Sequence, residues 1–440
     1  MGRKRHGSEL FIFMNGEKVG QLTRTAGGRL ECRYADTWLD SGAGRGLSLS
    51  MPLTDQVYSG QVVENYFDNL LPDSQPIRDR IQKRFSARSN RGFDLLWHIG
   101  RDCIGAIQLL PEDQSPDVHH IEAEPLTGAD IAQILKNYAT MPLGMQQDKD
   151  FRISIAGAQE KTALLNHHGQ WHRPLGATPT SHLVKLPIGR IDHSGMDLSG
   201  SVENEWLCLA VLAAYGLPTA PSEIMDFAGT KALTVERFDR RWSTDHSWLI
   251  RLPQEDMCQA LNVPPALKYE SDGGPGIEAI MTLLLGSARS LEDRRTFMTQ
   301  VFLFWLLGAI DGHGKNFSIT LRPGGSFHLT PVYDVISAYP LIAQKQLNQK
   351  RLTMAMSLQG KNRHYHWEQM FRRHWLATAK RCKFPAEEMN RIIDESLEKL
   401  DGVIERVGSL LPQGFPEEIA ASIFEGMKNA RDRIDRSAMM

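Results

Sequence analysis

Apolar and polar positions give the 440-residue chain two different rhythms. Up to about residue 243, short runs alternate with period two and are bounded by Gly, Asn or Pro, the pattern of half-buried strands. Leu10-Phe-Ile-Phe-Met14 followed by Asn15-Gly16 predicts a strand and a hairpin turn. Ser181-His-Leu-Val-Lys-Leu-Pro187 and Ala232-Leu-Thr-Val-Glu236 predict two more strands, the second running into a polar turn towards Trp242. Phe151 to Leu165 reads as two β runs around a turn of small residues. This half holds one helical stretch around Gln61 to Arg84 and one clear helix, Val202 to Tyr215, entered through Ser199-Gly-Ser201 and stopped at Gly216. Pro111 to Pro125, acidic and with histidines, reads as a linker. From about residue 255 the apolar spacing is mainly helical, over Met370 to Lys383, Glu387 to Val407 and Pro416 to Met440. The exception is the apolar run Val301 to Ile310, followed by a hairpin of Phe317 to Leu321 and Ser326 to Thr330 across Arg322-Pro-Gly-Gly325. The expected class is α+β in two lobes, strand-rich and then helical. Residues 1–115 would form an N-terminal subdomain, 116–243 the strand-rich nucleotide-binding part, and 244–440 the helical lobe.

Candidate chemistry sits where the helical rhythm breaks. Asp311-Gly-His-Gly-Lys-Asn316 places an Asp and an Asn five positions apart (316 − 311), and Asp334 stands alone after the hairpin. Protein kinases space their catalytic Asp and metal-binding Asn in this way, H-R-D-x-x-x-x-N, with a second metal-binding Asp further on. Phosphoryl transfer rests mainly on positioning and charge neutralisation, so one carboxylate to orient a hydroxyl and two oxygens to hold magnesium form a sufficient set. By itself the spacing is common and Asp-Gly usually marks a turn, so the reading depends on nucleotide-holding parts upstream. Three occur in order: the loop between Ser154 and Lys161, Lys185 inside a strand, and the strand end at Glu236 to Phe238. Each has a plainer alternative, respectively a hairpin, a solvated strand face and a charged strand end. Glu205 or Glu203 would pair with Lys185 or serve as first-turn acids of their helix.

Composition narrows the classes. Hydrophobic residues at 41% and charged residues at 23% describe an ordinary globular protein. A formal net charge of −2 provides no global attraction to nucleic acid or membrane. Any DNA contact would come from a local patch such as Arg372-Arg-His374 with Lys380-Arg-Cys-Lys383, and a solvated helix face is the plainer account of these charges. Five cysteines without a C-x-x-C pair point to a reducing cytoplasm, with neither a disulfide framework nor a structural zinc. The basic N-terminus has no apolar segment suited to export, and the longest apolar run, roughly ten residues, is too short to cross a bilayer. Tyr269-Glu-Ser-Asp-Gly-Gly-Pro-Gly276 reads either as a helix-entry loop or as a regulatory or substrate-facing one.

The motifs in combination resemble the HipA toxin kinases of bacterial type II toxin–antitoxin systems. They are Asn69-Leu-Leu-Pro-Asp73, Phe93-Asp-Leu-Leu96, Phe151 to Lys161, His182 to Pro187, Val235-Glu-Arg-Phe-Asp-Arg240, Gln254-Glu-Asp-Met257, Asp311 to Phe317 and Tyr333-Asp334. The resemblance spans nearly the whole chain. It implies a two-lobed, protein-kinase-like Ser/Thr kinase using ATP and Mg2+. In that frame Asp311 is the catalytic base, and Asn316 and Asp334 bind the metal. Ala156, Gly157, Ala158, Gln159, Glu160 and Lys161 form the phosphate loop and Lys185 binds phosphates. Glu236 and Phe238 contact adenine, and His313 lies in the nucleotide-contacting catalytic loop. Ser154 matches the family's autophosphorylation position. The implied partners are a HipB-like DNA-binding antitoxin, operator DNA reached through it, and glutamyl-tRNA synthetase as substrate; no membrane is implied. Gly312-His-Gly314 departs from the preamble of eukaryotic kinases, and no D-F-G follows Tyr333. A small-molecule kinase and a non-catalytic, nucleotide-stabilised corepressor are the alternatives.

Overall fold

The opening hairpin forms where the alternation places it. Glu9–Met14 pairs antiparallel with Glu17–Arg24, and Asn15 and Gly16 both take left-handed φ (47° and 88°), as a two-residue turn compatible with strand twist requires. The structure, a computed structural model, describes residues 7–140, 161–191 and 195–436. The chain divides into two units that are not contiguous in sequence. The first comprises Met1–Leu186, Asp226–Ala266 and Ile319–Phe327; the second comprises Pro187–Met225, Leu267–Ser318 and His328–Met440.

In the first unit the hairpin extends into a five-stranded sheet ordered Tyr58–Ser59, Leu30–Tyr34, Glu17–Arg24, Glu9–Met14, Ile107–Leu110. Leu10, Ile12 and Leu22 from the sheet bury against Trp38, Phe67 and Leu96. Each such side chain contributes about 1.5–3 kcal/mol on leaving water. The single helical stretch expected between Gln61 and Arg84 is two helices, Gln61–Asp68 and Gln75–Phe85. Asn69 ends the first by turning its amide to the carbonyl of Val263 at 2.9 Å, and Pro72 lacks the N–H that would carry the helix on.

A second sheet runs Ser222–Phe227, Thr230–Glu236, His182–Lys185, Lys161–His167, Gln170–Pro174, Ala123–Pro125. The expected linker therefore ends as an edge strand, with Ala123 to Pro125 paired to Pro174 to His172. Val118 within it is buried, and His119 packs edge-on against Trp248. Apolar positions too sparse for a period were still enough to pack a segment that crosses a sheet edge.

Between the sheets of this unit lies a closed set of buried charges. Arg237 meets Asp239 through two nitrogens at 2.9 and 2.7 Å, and Arg237, Arg240 and Arg251 all reach Asp102 at 2.9–3.3 Å. Burial alone would raise the Asp102 carboxyl, but Arg240, Arg237 and Arg251 together hold it far below the usual carboxylate range.

The second unit is mainly helical, with long helices Ser290–Leu306, Ala386–Ser409 and Glu417–Arg436. At its centre Trp305 and Trp367 stack at 5.5 Å. Each indole N–H donates to the other residue's carbonyl, at 3.1 and 2.8 Å. Two buried donors are thereby satisfied without water. All five cysteines of the chain are buried and none forms a disulfide.

One buried carboxyl of the first unit makes stability pH-dependent. Leu49 N–H donates to Glu255 Oε1 at 2.8 Å, and Ser48 Oγ lies against Oε2. Burial, the largest influence, pushes Glu255 up to about 8 from an ordinary 4.5. The folded state then holds a proton the unfolded state has lost, so this contribution is complete below 4.5 and disappears as pH rises through about 8. Glu255→Gln should remove the slope and leave the variant more stable than wild type at pH 8, by about 1 kcal/mol or more. Denaturant unfolding at pH 5 and pH 8 measures it, and equal slopes for the two proteins would mean that Glu255 is ionised in the fold.

Candidate active site

The end of the helix Ser290–Leu306 sets the site. Gly308 takes φ 61°, and Ala309 N–H returns to the Phe304 carbonyl at 2.8 Å, closing the helix. The last carbonyls find partners on one segment: Tyr339 OH donates to Leu306 O at 3.1 Å, Ser337 Oγ to Leu307 O at 2.6 Å, and Ala338 N–H to Gly308 O at 2.9 Å. Ser337 is in turn bracketed by Asn204 of the helix Ser201–Ala214, which donates to its carbonyl and accepts from its N–H, both at 2.8 Å. The chain leaves the apolar run in a fixed direction, and Asp311 emerges as an exposed side chain just beyond it.

The loop that follows is folded onto itself. His313 N–H donates to Asp311 O at 2.8 Å, Asn316 N–H to His313 O at 2.9 Å, and Gly314 N–H to Lys268 O at 3.1 Å. A Cβ on Gly312 would lie 2.7 Å from the Phe304 ring, so the loop passes where only glycine fits. Tyr333 OH clamps the far end, donating to Lys315 O at 2.8 Å and sharing a hydrogen bond with Ser318 Oγ at 2.5 Å.

Asn316 and Asp334 come together, as their proposed joint role requires. The Asn316 amide nitrogen donates to the Asp334 carbonyl at 3.0 Å. Its Oδ1 is thereby turned the other way, buried and without a hydrogen-bond partner in the structure. Asp334 holds a left-handed backbone, φ 59°, which Asp tolerates better than most side chains but which still costs energy. The Asn316 amide nitrogen, not its Oδ1, stands 3.5 Å from the Asp334 carboxylate. With the amide turned over, its oxygen and the carboxylate would suit a hard cation such as Mg2+, which takes few protein oxygens and completes its shell with phosphate and water. Oxygen donors and no thiolate or imidazole at this point fit that ion better than zinc. His313 is buried and stands edge-on to Tyr269, ring centres 5.0 Å apart.

Of the residues expected to contact the nucleotide, Lys161, Lys185, Glu236 and Phe238 lie in the first unit. Lys185 is buried at 3% exposure on the strand His182–Lys185, directly across from Lys161 in the register. Residues opposed in an antiparallel pair point to one face, so two ammonium groups share it. Glu236 is exposed at the end of its strand and opposite His182, and Phe238 is half-buried two residues on. The intervening Arg237 is part of the buried charge set, and its N–H donates to Ser181 O at 2.9 Å. Glu205 is buried on the helix Ser201–Ala214 in the second unit. Ser154 and the loop Ala156, Gly157, Ala158, Gln159 and Glu160 lie outside the described residues. Lys380, Arg381 and Lys383 are exposed at the end of the helix Arg372–Arg381. There Arg381 faces Glu278 at 2.5 Å, so the cationic patch is partly neutralised.

One contact escaped the sequence. Tyr269 OH donates to Asp311 Oδ1 at 2.7 Å across 42 positions. The loop carrying it does enter a helix, Ile277–Leu283, but no motif signals that it touches the carboxylate.

Comparison with known proteins agrees with this layout. Residues 10–110 match the HipA N-terminal domain model and residues 153–404 the HipA-like C-terminal domain model. Y4mE of Sinorhizobium fredii is 36% identical over 355 residues, 79% of this chain and 82% of that protein. The serine/threonine-protein kinase toxin HipA of Shewanella oneidensis is 29% identical over 315 residues, 69% of each. A chain from the solved complex of Shewanella oneidensis HipA, HipB and operator DNA superposes with a TM-score of 0.81 at 22% identity, covering 98% of both chains. With the family model matched over more than half its length, on an α+β fold of the kinase-like HipA type, this chain belongs to the HipA family.

Proposed function

We propose that this chain is the toxin of a two-component system and a Ser/Thr protein kinase that moves the γ-phosphoryl group of ATP to a protein hydroxyl. The observation that carries the proposal is the catalytic loop itself. It presents an exposed carboxylate, Asp311, and carries the buried Asn316, whose amide is hydrogen-bonded to the half-buried Asp334. Asp311 accepts the proton of the acceptor hydroxyl as its oxygen bonds to the γ-phosphorus. The bond from that phosphorus to the bridging oxygen of the β-phosphate breaks, and ADP leaves. Asn316 Oδ1 and the Asp334 carboxylate would hold Mg2+, which neutralises charge on the phosphates when bound.

The nucleotide's phosphates fall to Lys185 and Lys161. The two lysines stand opposite each other on one strand pair, so both ammonium groups can reach one polyanion. On the resemblance to the family, Ala156 to Glu160 supply the phosphate loop, and Glu236 and Phe238 the contacts to adenine. Glutamyl-tRNA synthetase is the proposed acceptor, whose modification stalls tRNA charging. The HipA, HipB and operator complex to which the fold is similar supports a HipB-like antitoxin as partner. Operator DNA is then reached through the antitoxin, and the half-neutralised patch at Lys380, Arg381 and Lys383 adds only unspecific phosphate contact.

The test uses purified protein, Mg2+, γ-labelled ATP and glutamyl-tRNA synthetase. Label on the synthetase is expected with wild type and should vanish with Asp311→Ala. Asn316→Ala and Asp334→Asn should each lower transfer at least about a hundredfold, since several kcal/mol of charge stabilisation accompany the ion. Label on the chain alone would remove the synthetase as target, and no label from unphosphorylated wild type would overturn the kinase.

Ser154 supplies a second test. A phosphate there adds about −1.5 to −2 charges beside a loop that holds phosphates. The phosphorylated protein should bind ATP at least about tenfold more weakly than the dephosphorylated protein by calorimetry. Equal affinities would rule out control through this residue.

A further inference from the structure

We propose that Tyr269 is a positioning residue for Asp311. Its hydroxyl holds Oδ1 and leaves Oδ2 facing the acceptor. The inference rests on the phosphotransfer reading above and adds a part that neither the motif spacing nor the family comparison contains.

The contact is short and direct: Tyr269 OH lies 2.7 Å from Asp311 Oδ1. A carboxylate on an exposed loop turns freely about its last torsion, which is broad for Asp. A base must meet its hydroxyl at about 2.6–3.2 Å in a defined direction. One hydrogen bond to one oxygen selects the orientation of both.

Tyr269 is itself held on three sides. Its predecessor, Lys268, accepts the N–H of Gly314 from the catalytic loop at 3.1 Å. Its successor, Glu270, accepts from Ser357 N–H at 2.5 Å and Ser357 Oγ at 3.1 Å, and faces Arg363 at 3.6 Å. Its own carbonyl accepts from Gly274 N–H at 2.9 Å, in a turn so tight that a Cβ on Gly274 would lie 2.1 Å from Leu267 O. The ring stands edge-on to His313. A tyrosine needed only to fill space would not require its backbone fixed from both neighbours.

The direction also fits. Tyr269 and Asp311 line one open cavity of about 450 Å³, lined also by Thr353 to Ala355 and by Arg363 to His366. An acceptor segment entering this cavity meets the carboxylate beside the tyrosine hydroxyl, and the oxygen not taken by Tyr269 is the one left for the incoming proton.

Tyr269→Phe removes the hydroxyl and keeps the ring against His313. With γ-labelled ATP and the synthetase, kcat should fall about tenfold, in line with losing one hydrogen bond to a charged group. KM for ATP should stay within about twofold and the melting midpoint should be unchanged. Tyr269→Ala should lose at least as much activity and also melt earlier. Wild-type kcat in the Phe variant, with only the Ala variant impaired, would reduce Tyr269 to packing and overturn the proposal while leaving the kinase intact. Absence of label from wild type in the same assay would overturn both.

Discussion

Buried charge must be compensated at once, and in the first unit one closed set of five charges meets that demand for several segments together. Asp102, Arg237, Asp239, Arg240 and Arg251 come from three distant stretches of chain and are all less than a tenth exposed. Breaking such a set by removing one partner costs about 3–5 kcal/mol, because the remaining charge stays buried. The geometric consequence matters more than the energy. Thr180 donates to Asp102 at 2.7 Å, immediately before the strand that carries Lys185. Arg237 sits between Glu236 and Phe238. The strand that carries Lys185 and the strand end at Glu236 are thus tied to the same buried carboxylate, so the register of both is set by this buried set.

The second unit reaches its precision differently. Around Asp311 the loop is held mainly by backbone groups, by the hydroxyls of Tyr269 and Tyr333 and by glycine where larger residues would collide, with the Glu270–Arg363 pair standing behind Tyr269. Ser337, Ala338 and Tyr339 take up the carbonyls at the end of the apolar helix, and Gly312 passes against Phe304. This arrangement suits a site through which a highly charged substrate passes. Further fixed charges would add their own field to that of the phosphates, whereas neutral hydrogen bonds orient the loop and leave the field to the catalytic side chains.

Much of this was legible in the sequence, and the limits have physical reasons. Period-two and helical spacing located the opening hairpin, the helix Ser201–Ala214 and the long C-terminal helices, because each buries one face over several turns or strand residues. The break at Pro72 was visible as a residue yet not as two helices, since Gln61 to Arg84 keeps helical composition on both sides. The segment before Pro125 reads as polar because an edge strand is half solvated. Asn316 and Asp334 were singled out through their spacing from Asp311, and the structure brings them into contact because one short loop and one hairpin fix the distance between them. Tyr269 was not, because its contact depends on how a glycine-rich turn folds and on Ser357 anchoring Glu270, neither of which leaves a periodic trace.

The two kinds of charge in this molecule separate structural from chemical roles. Around Asp102 and Asp239 each carboxylate has two or more cations within reach, three arginines against two aspartates, with Arg240 Nε and Arg251 Nη1 left without a hydrogen bond. At the places assigned to phosphate transfer, local rules are broken. Lys161 stands across from Lys185 on one face, Asp334 holds a left-handed backbone, and Asn316 buries an amide oxygen without a hydrogen bond. A fold tolerates such departures only where the surroundings over-determine them, and they concentrate where a ligand restores the balance. Under the proposed phosphotransfer these departures fall on the residues assigned to nucleotide and metal, so that reading accounts for the local irregularities as well as for the spacing of the motif.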